Sequence, residues 1–274
     1  MSTTENEMLS LRWYQWITAL PRTYFKPQFL GLDQIDLSKP ALWVGNHTLY
    51  GALDVPLLAH ALMERGVRLY SLGDHSHFNV PGWRSLLIGA AVVRGTPENC
   101  AELMREGKHV LVFPGGGREV MKRKGESYTL IWKQRTGFAR LAIEHGYDIQ
   151  PFAAVGADDV YNILVDAADV MKLPAWRWLS KFDSITNLTR NGEVIPPIAK
   201  GLGPTLIPKP QRFYFGFGDR IQTEHLQGRS EDDEAVWPLR DKVAASIEEL
   251  LEMLQQHRDE DREANWSRLR RWLA

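Results

Sequence analysis

Three times in this chain a helical stretch closes on a glycine and a short apolar run follows within a few residues. Leu53 to Arg65 ends at Gly66 before Val67 to Leu72; Pro97 to Glu106 ends at Gly107 before Val110 to Phe113; Lys133 to His145 ends at Gly146 before Ile149 to Val155. Glycine past the last helical turn is a common stop, because it takes the left-handed conformation without a side-chain clash. Ala41 to Val44 and Ala91 to Val93 read as further strands, with a short helix at Pro81 to Ile88. Strand and helix in alternation predict an α/β fold, a mostly parallel sheet flanked by helices on both faces. Outside that repeat, Leu9 to Leu20 reads as an amphipathic helix stopping at Pro21, and Phe29 to Ile35 as extended. Past Asp158 the pattern loosens: Val160 to Met171 and Ala175 to Phe182 read as helices, Pro196 to Pro210 as loop, and Arg212 to Phe217 as a strand. Pro238 to Gln256 reads as a long helix with Val243, Ile247, Leu250, Leu251 and Leu254 on one face. The 274 residues fit one domain, residues 1–274, with an N-terminal helix over about 9–20 and C-terminal helices over about 238–273.

The formal net charge of -1 gives no overall field for nucleic acid, so no nucleic-acid partner is expected. Cys100 stands alone, which rules out an intramolecular disulfide and fits a reducing compartment. Met1 to Met8 is polar and acidic and carries no signal-peptide pattern, and the expected location is cytoplasmic. The longest apolar run, near Leu86 to Val93, is far short of the roughly 20 residues a bilayer crossing needs. Yet there are ten tryptophans, and several stand beside arginine: Arg12-Trp13-Tyr14-Gln15-Trp16, Trp176-Arg177-Trp178, and Trp266 to Trp272. Such segments sit well at lipid headgroups, so peripheral attachment to a membrane surface is expected.

Chemistry concentrates where strands open into polar sequence, the edge where α/β sheets bind ligands. Val44-Gly45-Asn46-His47-Thr48 puts an imidazole at one such edge, and Asp54, a short way on, offers a carboxylate to orient it as a general base. Phe113-Pro114-Gly115-Gly116-Gly117-Arg118-Glu119 supplies backbone N–H groups and a guanidinium suited to an anion. It is neither a P-loop nor the dinucleotide fingerprint, since the glycine spacing and the Lys-Ser/Thr pair are missing. The run Lys122-Arg123-Lys124 adds positive charge, and Arg94 closes the strand Gly89 to Val93 at the same edge. His75 and His77 alternate as chelators do, but no third ligand stands at useful spacing, so no metal is expected. Asp158, Asp159, Asp166 and Asp169 lack calcium-loop spacing and read as helix caps and surface acids.

Taken in order, Asn46-His47, then Gly89 to Arg94, then Phe113 to Glu119, then Ile149-Gln150-Pro151-Phe152, the motifs resemble those of the glycerolipid acyltransferases. The chain is identified as a member of the lysophospholipid and glycerol-phosphate acyltransferase superfamily. It resembles most the diacylglycerol acyltransferase-like branch that includes transmembrane protein 68 and the phytyl ester synthases. Gly73-Asp74-His75-Ser76-His77-Phe78, Pro81-Gly82-Trp83-Arg84 and Lys124-Gly125-Glu126 carry that closer likeness, which runs from about Leu42 to Asp159. Two departures stand out. The family's histidine and aspartate are separated by four residues, against six between His47 and Asp54; and Gly115 stands where the commoner loop, Phe-Pro-Glu-Gly, has glutamate.

The resemblance implies a glycerol-3-phosphate acyltransferase-like fold and transfer of a fatty acyl group from acyl-CoA or acyl carrier protein to a lipid hydroxyl. His47 and Asp54 would be catalytic; Asn46, Arg94, Gly115, Gly116, Arg118 and Glu119 would bind substrate. The acyl thioester and lipid acceptor are the partners, and no cofactor is implied. Gly115 in place of glutamate shifts the expected acceptor towards a neutral alcohol. No covalent intermediate is required, so the lack of a Gly-x-Ser-x-Gly elbow is no obstacle. Phe78, Trp83, Leu86 and Leu87 are candidates for lining an acyl tunnel. A lipid ester hydrolase and a lipid-binding or lipid-transfer protein with little turnover are the alternatives.

Overall fold

The apolar runs line up as one seven-stranded sheet in a computed structural model that describes residues 11–74 and 87–261. Its strands are β1 (Gln28–Leu30), β2 (Leu42–Gly45), β3 (Leu69–Gly73), β4 (Val92–Arg94), β5 (His109–Val112), β6 (Ile149–Val155) and β9 (Tyr214–Phe217). Their spatial order is β1-β9-β6-β2-β5-β3-β4. Every pairing is parallel except β6 with β9. Two further strands, β7 (Asn162–Val165) and β8 (Ile198–Lys200), pair antiparallel as a separate ribbon.

Helices cover both faces. β2 is buried throughout, yet its side chains still alternate: Leu42 and Val44 join one core and Trp43 the other. On the Leu42 side lie α3 (Pro97–Arg105), α5 (Gly137–His145) and α9 (Asp233–Glu260), contributing Met104, Ile143, Ile247 and Leu251. On the Trp43 side, α1 (Leu11–Phe25) and α2 (Val55–Met63) contribute Phe25, Leu57, Leu58 and Leu62. Only Lys108 separates Gly107 from β5, and only Tyr147 and Asp148 separate Gly146 from β6, so each helix turns straight into the next strand. The five residues expected along one face of α9 are all buried, and Leu254 lies so near β9 that a β-carbon at Gly216 would come within 3.2 Å of it.

The prolines behave differently from expectation. α1 does not stop at Pro21 but runs through it to Phe25. A proline inside a helix costs about 3 kcal/mol or more. Tyr14 and Phe25 are buried, Tyr14 donating its hydroxyl to the Ala90 carbonyl at 3.0 Å and Phe25 stacking on Phe213 with centroids 4.2 Å apart. Each such burial contributes about 1.5–3 kcal/mol, enough to carry the helix on. Likewise α9 starts before Pro238, capped by Asp232, and is a single helix to Glu260.

The helix expected over Val160 to Met171 is instead β7 followed by a short helix, α6 (Ala167–Lys172). Asp166 is the reason. Its side chain accepts from the Asp169 N–H while Asp169 accepts in return, a capping box that starts a helix in mid-segment. Upstream of it Ile163 and Val165 turn inward while Asn162 and Leu164 stay exposed. β8 lies within the segment expected to be loop; α7 (Pro174–Leu179) covers most of the helix expected over Ala175 to Phe182, and a separate helix, α8 (Asp183–Leu188), follows it. The segment expected as extended near Phe29 shortens to β1, then turns through a 3-10 helix at Leu32–Gln34. His75, His77, Phe78, Trp83, Leu86 and the tryptophans at 266 and 272 lie outside the described residues; of the expected helix near Ile88, residues 87–89 are described and helical.

Candidate active site

Because β6, β2, β5, β3 and β4 are adjacent and parallel, their carboxyl ends share one edge of the sheet. That edge carries Asn46 and His47 after β2, the glycine loop after β5, Asp158 after β6, and Arg94 at the end of β4. The sequence motifs therefore converge through topology alone.

His47 is fixed by aromatic packing. Its imidazole stacks on Phe113, centroids 4.1 Å apart and rings 17° from parallel. Phe113 in turn meets Phe152 edge-on at 6.0 Å. Phe152 fits because residue 45 is glycine: a β-carbon there would be 2.5 Å from the ring. The backbone of Gly51 also approaches His47 so closely that a β-carbon would lie 2.7 Å from Nδ1. Gly51 also has φ of +57°, and the preceding Tyr50 has φ of +62°. Two consecutive left-handed residues bulge the chain between His47 and Asp54, at the place where the two extra residues of the spacing must be absorbed. Tyr50 is held there by donating its hydroxyl to the Pro197 carbonyl at 2.8 Å.

Asp54 is the N-cap residue of α2 and 2% exposed. Burial pushes its carboxyl up to about 6; Thr48 and the backbone N–H groups of residues 54 and 55 favour the charged form, and Asp158 opposes it. Asn46 is fully buried, and its side-chain amide exchanges two hydrogen bonds with the Ala154 backbone, at 3.0 and 2.8 Å. It extends the β2–β6 pairing by one side chain and so fixes where His47 emerges, rather than reaching towards a substrate.

Pro114 to Gly117 turn tightly, with Gly116 at φ of +50° and its N–H donating to the Phe113 carbonyl at 3.0 Å. The short helix α4 (Gly116–Val120) follows. Glu119, within it, is wholly buried, and burial raises its carboxyl to about 7. Arg118 points away from the loop. Its two terminal nitrogens donate to both oxygens of Glu126, at 3.0 and 2.5 Å, so the fork expected to hold phosphate ties down the Arg123–Glu126 turn. Arg94 is exposed at the end of β4.

Two arginines that sequence patterning passed over border the glycine loop. Arg135 donates to the Pro114 and Gly115 carbonyls at 2.9 and 2.5 Å. Arg190, paired with Asp74 at 2.6 Å, has a terminal nitrogen 3.5 Å from where a β-carbon at Gly117 would be. Neither stands at a spacing that links it to the loop in the sequence.

Asp158 is not a surface acid. It is 4% exposed and accepts from the backbone N–H of Leu49 at 2.7 Å and of Tyr128 at 3.0 Å, with the buried Lys122 ammonium 3.5 Å away. It thus ties the histidine loop to the segment after the glycine loop. Asp159 pairs with Arg258 at 2.7 Å, while Asp166 and Asp169 are caps as expected. Lys122, Arg123 and Lys124, with Leu49, Lys209 and Arg258, line a polar cleft of about 920 Å³ beside the histidine loop.

A mostly parallel sheet thus carries a histidine and a glycine loop at its carboxyl edge. Residues 26–155 match the family model described as Acyltransferase. Phytyl ester synthase 2, chloroplastic, of Arabidopsis thaliana is 31% identical over 247 residues, which are 84% of this chain and 34% of that one. The human DGAT1/2-independent enzyme synthesizing storage lipids is 32% identical over 124 residues, 44% of this chain and 37% of that one. The chain thus spans about a third of the length of these curated relatives. The fold is that of the 1-acyl-sn-glycerophosphate (LPA) acyltransferase from Thermotoga maritima, with a TM-score of 0.50, 13% identity, and coverage of 89% of this chain and 82% of that one.

Proposed function

We propose that this protein moves a fatty acyl group from acyl-CoA or acyl carrier protein to the hydroxyl of a lipid acceptor, with His47 as general base and no acyl-enzyme. The observation that carries this reading is the imidazole of His47, stacked on Phe113 and closely approached by Gly51 at the sheet's carboxyl edge. His47 takes the proton as the acceptor oxygen attacks the thioester carbonyl; the tetrahedral oxyanion then collapses and expels the thiolate. Asp54, one turn of chain away, favours the imidazolium whenever it is ionised. The basic cleft lined by Arg123 and Lys209, which reaches Leu49 of the histidine loop, suits the phosphates of the donor.

A neutral lipid alcohol is the acceptor we favour, because Gly115 stands where the commoner loop has glutamate and because two of the relatives are named for phytyl esters and for storage lipids. Membrane attachment is peripheral in this reading. Among the described residues no helix is long and apolar enough to cross a bilayer. Trp16 and Leu20 on α1 are 75% and 77% exposed, and Trp178, Leu206 and Ile207 are exposed as well. Incubation with labelled acyl-CoA or acyl carrier protein and a panel of lipid alcohols tests the proposal. Ester product supports it; free fatty acid alone points to a hydrolase; bound, unreacted lipid points to a carrier.

A further inference from the structure

Glu119 has a setting that substrate binding does not explain. None of its surface is exposed, so it touches no solvent-borne ligand. Its carboxyl lies under the glycine loop: a β-carbon built on Gly115 would meet its Oε2 and come within 2.7 Å of its Cδ. Gly115 itself has φ of −67° and ψ of −23°, ordinary helical values open to any residue. Glycine is required there for space, and the space is taken by Glu119. Neither carboxyl oxygen completes a hydrogen bond of good geometry. The N–H groups of His47 and Ile131 nonetheless face it closely enough to favour its charged form. The other charges bearing on it are Lys122, which favours ionisation, and Asp158, which opposes it.

We propose that Glu119 is a positioning residue for His47: its carboxyl, lodged beneath Gly115 and facing the His47 backbone, holds the histidine loop against the glycine loop and stabilises the imidazolium formed during transfer. The proposal rests on the reading of His47 as the base. It also accounts for Gly115. A negative charge at the third position of the loop is brought in by Glu119 from four residues further on, and the two side chains exclude each other sterically. Glu119 titrates at about 7, so it is neutral below that pH and charged above. Its help to the imidazolium is therefore present above about pH 7 and lost as the pH falls.

The test follows His47 directly and turnover separately. Carbethoxylation of the His47 peptide by diethyl pyrocarbonate, read by mass spectrometry across pH 5.5 to 9, gives the apparent His47 pKa in wild type, Glu119→Gln and Gly115→Ala. Glutamine keeps the shape and cannot ionise; alanine at 115 keeps the carboxyl and displaces it. Both variants should lower that pKa by about half a unit to one unit. Both should also reduce kcat about ten-fold at pH 8, with much less loss at pH 6 and little change in the apparent KM for donor. An unchanged His47 titration with unchanged kcat at pH 8 in a folded Glu119→Gln protein overturns the proposal and leaves acyl transfer standing. A His47→Ala protein that retains wild-type transfer instead sinks the reading on which the proposal rests.

Discussion

The imidazole of His47 lies 4.1 Å from the Phe113 ring, which comes from the strand next to its own. Strand pairing thus sets the base, because Val44 pairs with Val112 and each residue of the contact follows shortly after. His47→Ala should abolish transfer, a loss of about 10² to 10⁴ in kcat, while the thermal midpoint moves little. Phe113→Leu should leave the base in place but loosen its orientation, for a loss of about ten-fold in kcat at nearly constant KM. Steady-state kinetics with acyl-CoA check both, and wild-type kcat in His47→Ala removes the residue from the mechanism.

Gly51→Ala should be as damaging as removing the histidine. The added carbon enters the space of the ring, and φ of +57° disfavours any side chain. Circular dichroism should still show a folded protein, since the bulge is local, and the kinetic loss should appear mainly in kcat. An active Gly51→Ala enzyme would mean that the ring swings elsewhere during turnover.

Asp54 links stability to pH with an unusual sign. Its carboxyl sits at about 6 in the folded protein against 3.8 for an ordinary aspartate, so between those values the folded state binds more protons. Stability attributable to this residue therefore falls as pH rises from about 4 to 6 and stays low above. Asp54→Asn should raise the thermal midpoint at pH 8 by a few degrees, at about 2–4 °C per kcal/mol recovered, and leave it nearly unchanged at pH 4. Activity should fall in the same variant. Greater thermal stability with lower kcat marks a residue kept for function; lower stability at pH 8 would refute the assignment.

How much was legible beforehand follows from which interactions are local. The helix–glycine–strand repeat and the apolar face of α9 depend on neighbours within a few residues, and both are where the sequence puts them. The convergence of His47, the glycine loop and Arg94 was legible because parallel strands share an edge. Pro21 and Pro238 misled because the packing that carries each helix through comes from elements distant in sequence. The Asp166–Asp169 capping box was a local signal present in the sequence and outweighed by apolar periodicity. Arg135 and Arg190 were invisible, since only the folded chain brings them to Pro114, Gly115 and Gly117.

Arg94 and Arg118, both expected to bind substrate, should differ when replaced. Arg118→Ala breaks a paired hydrogen bond to Glu126 from a side chain 8% exposed, so it should lower stability by about 1–3 kcal/mol. Lysine should recover only part of that, lacking the planar fork. Arg94→Ala, at an exposed strand end, should leave the thermal midpoint within a degree or two and raise the apparent KM for the anionic donor. Denaturation and kinetics on both variants check the split, and a purely kinetic effect of Arg118→Ala would restore it as a substrate clamp.

Membrane attachment should depend on the exposed aromatics rather than on any buried segment. Trp13 and Trp16 meet edge-on at 5.7 Å on α1, 41% and 75% exposed, while Tyr14 between them is buried. The helix therefore presents one face to the fold and a tryptophan-rich face outward, the arrangement of an interfacial helix. Trp178 and Phe182, 61% and 47% exposed and 5.0 Å apart, form a second such pair. Binding to anionic liposomes should exceed binding to neutral ones, and salt should narrow the difference by screening the basic side chains. Changing Trp13, Trp16 and Trp178 together to serine should remove most of the binding without lowering turnover of a detergent-dispersed acceptor. Flotation of wild type and variant through a density gradient decides it. If wild type stays at the bottom with every lipid mixture, these tryptophans face another protein surface instead.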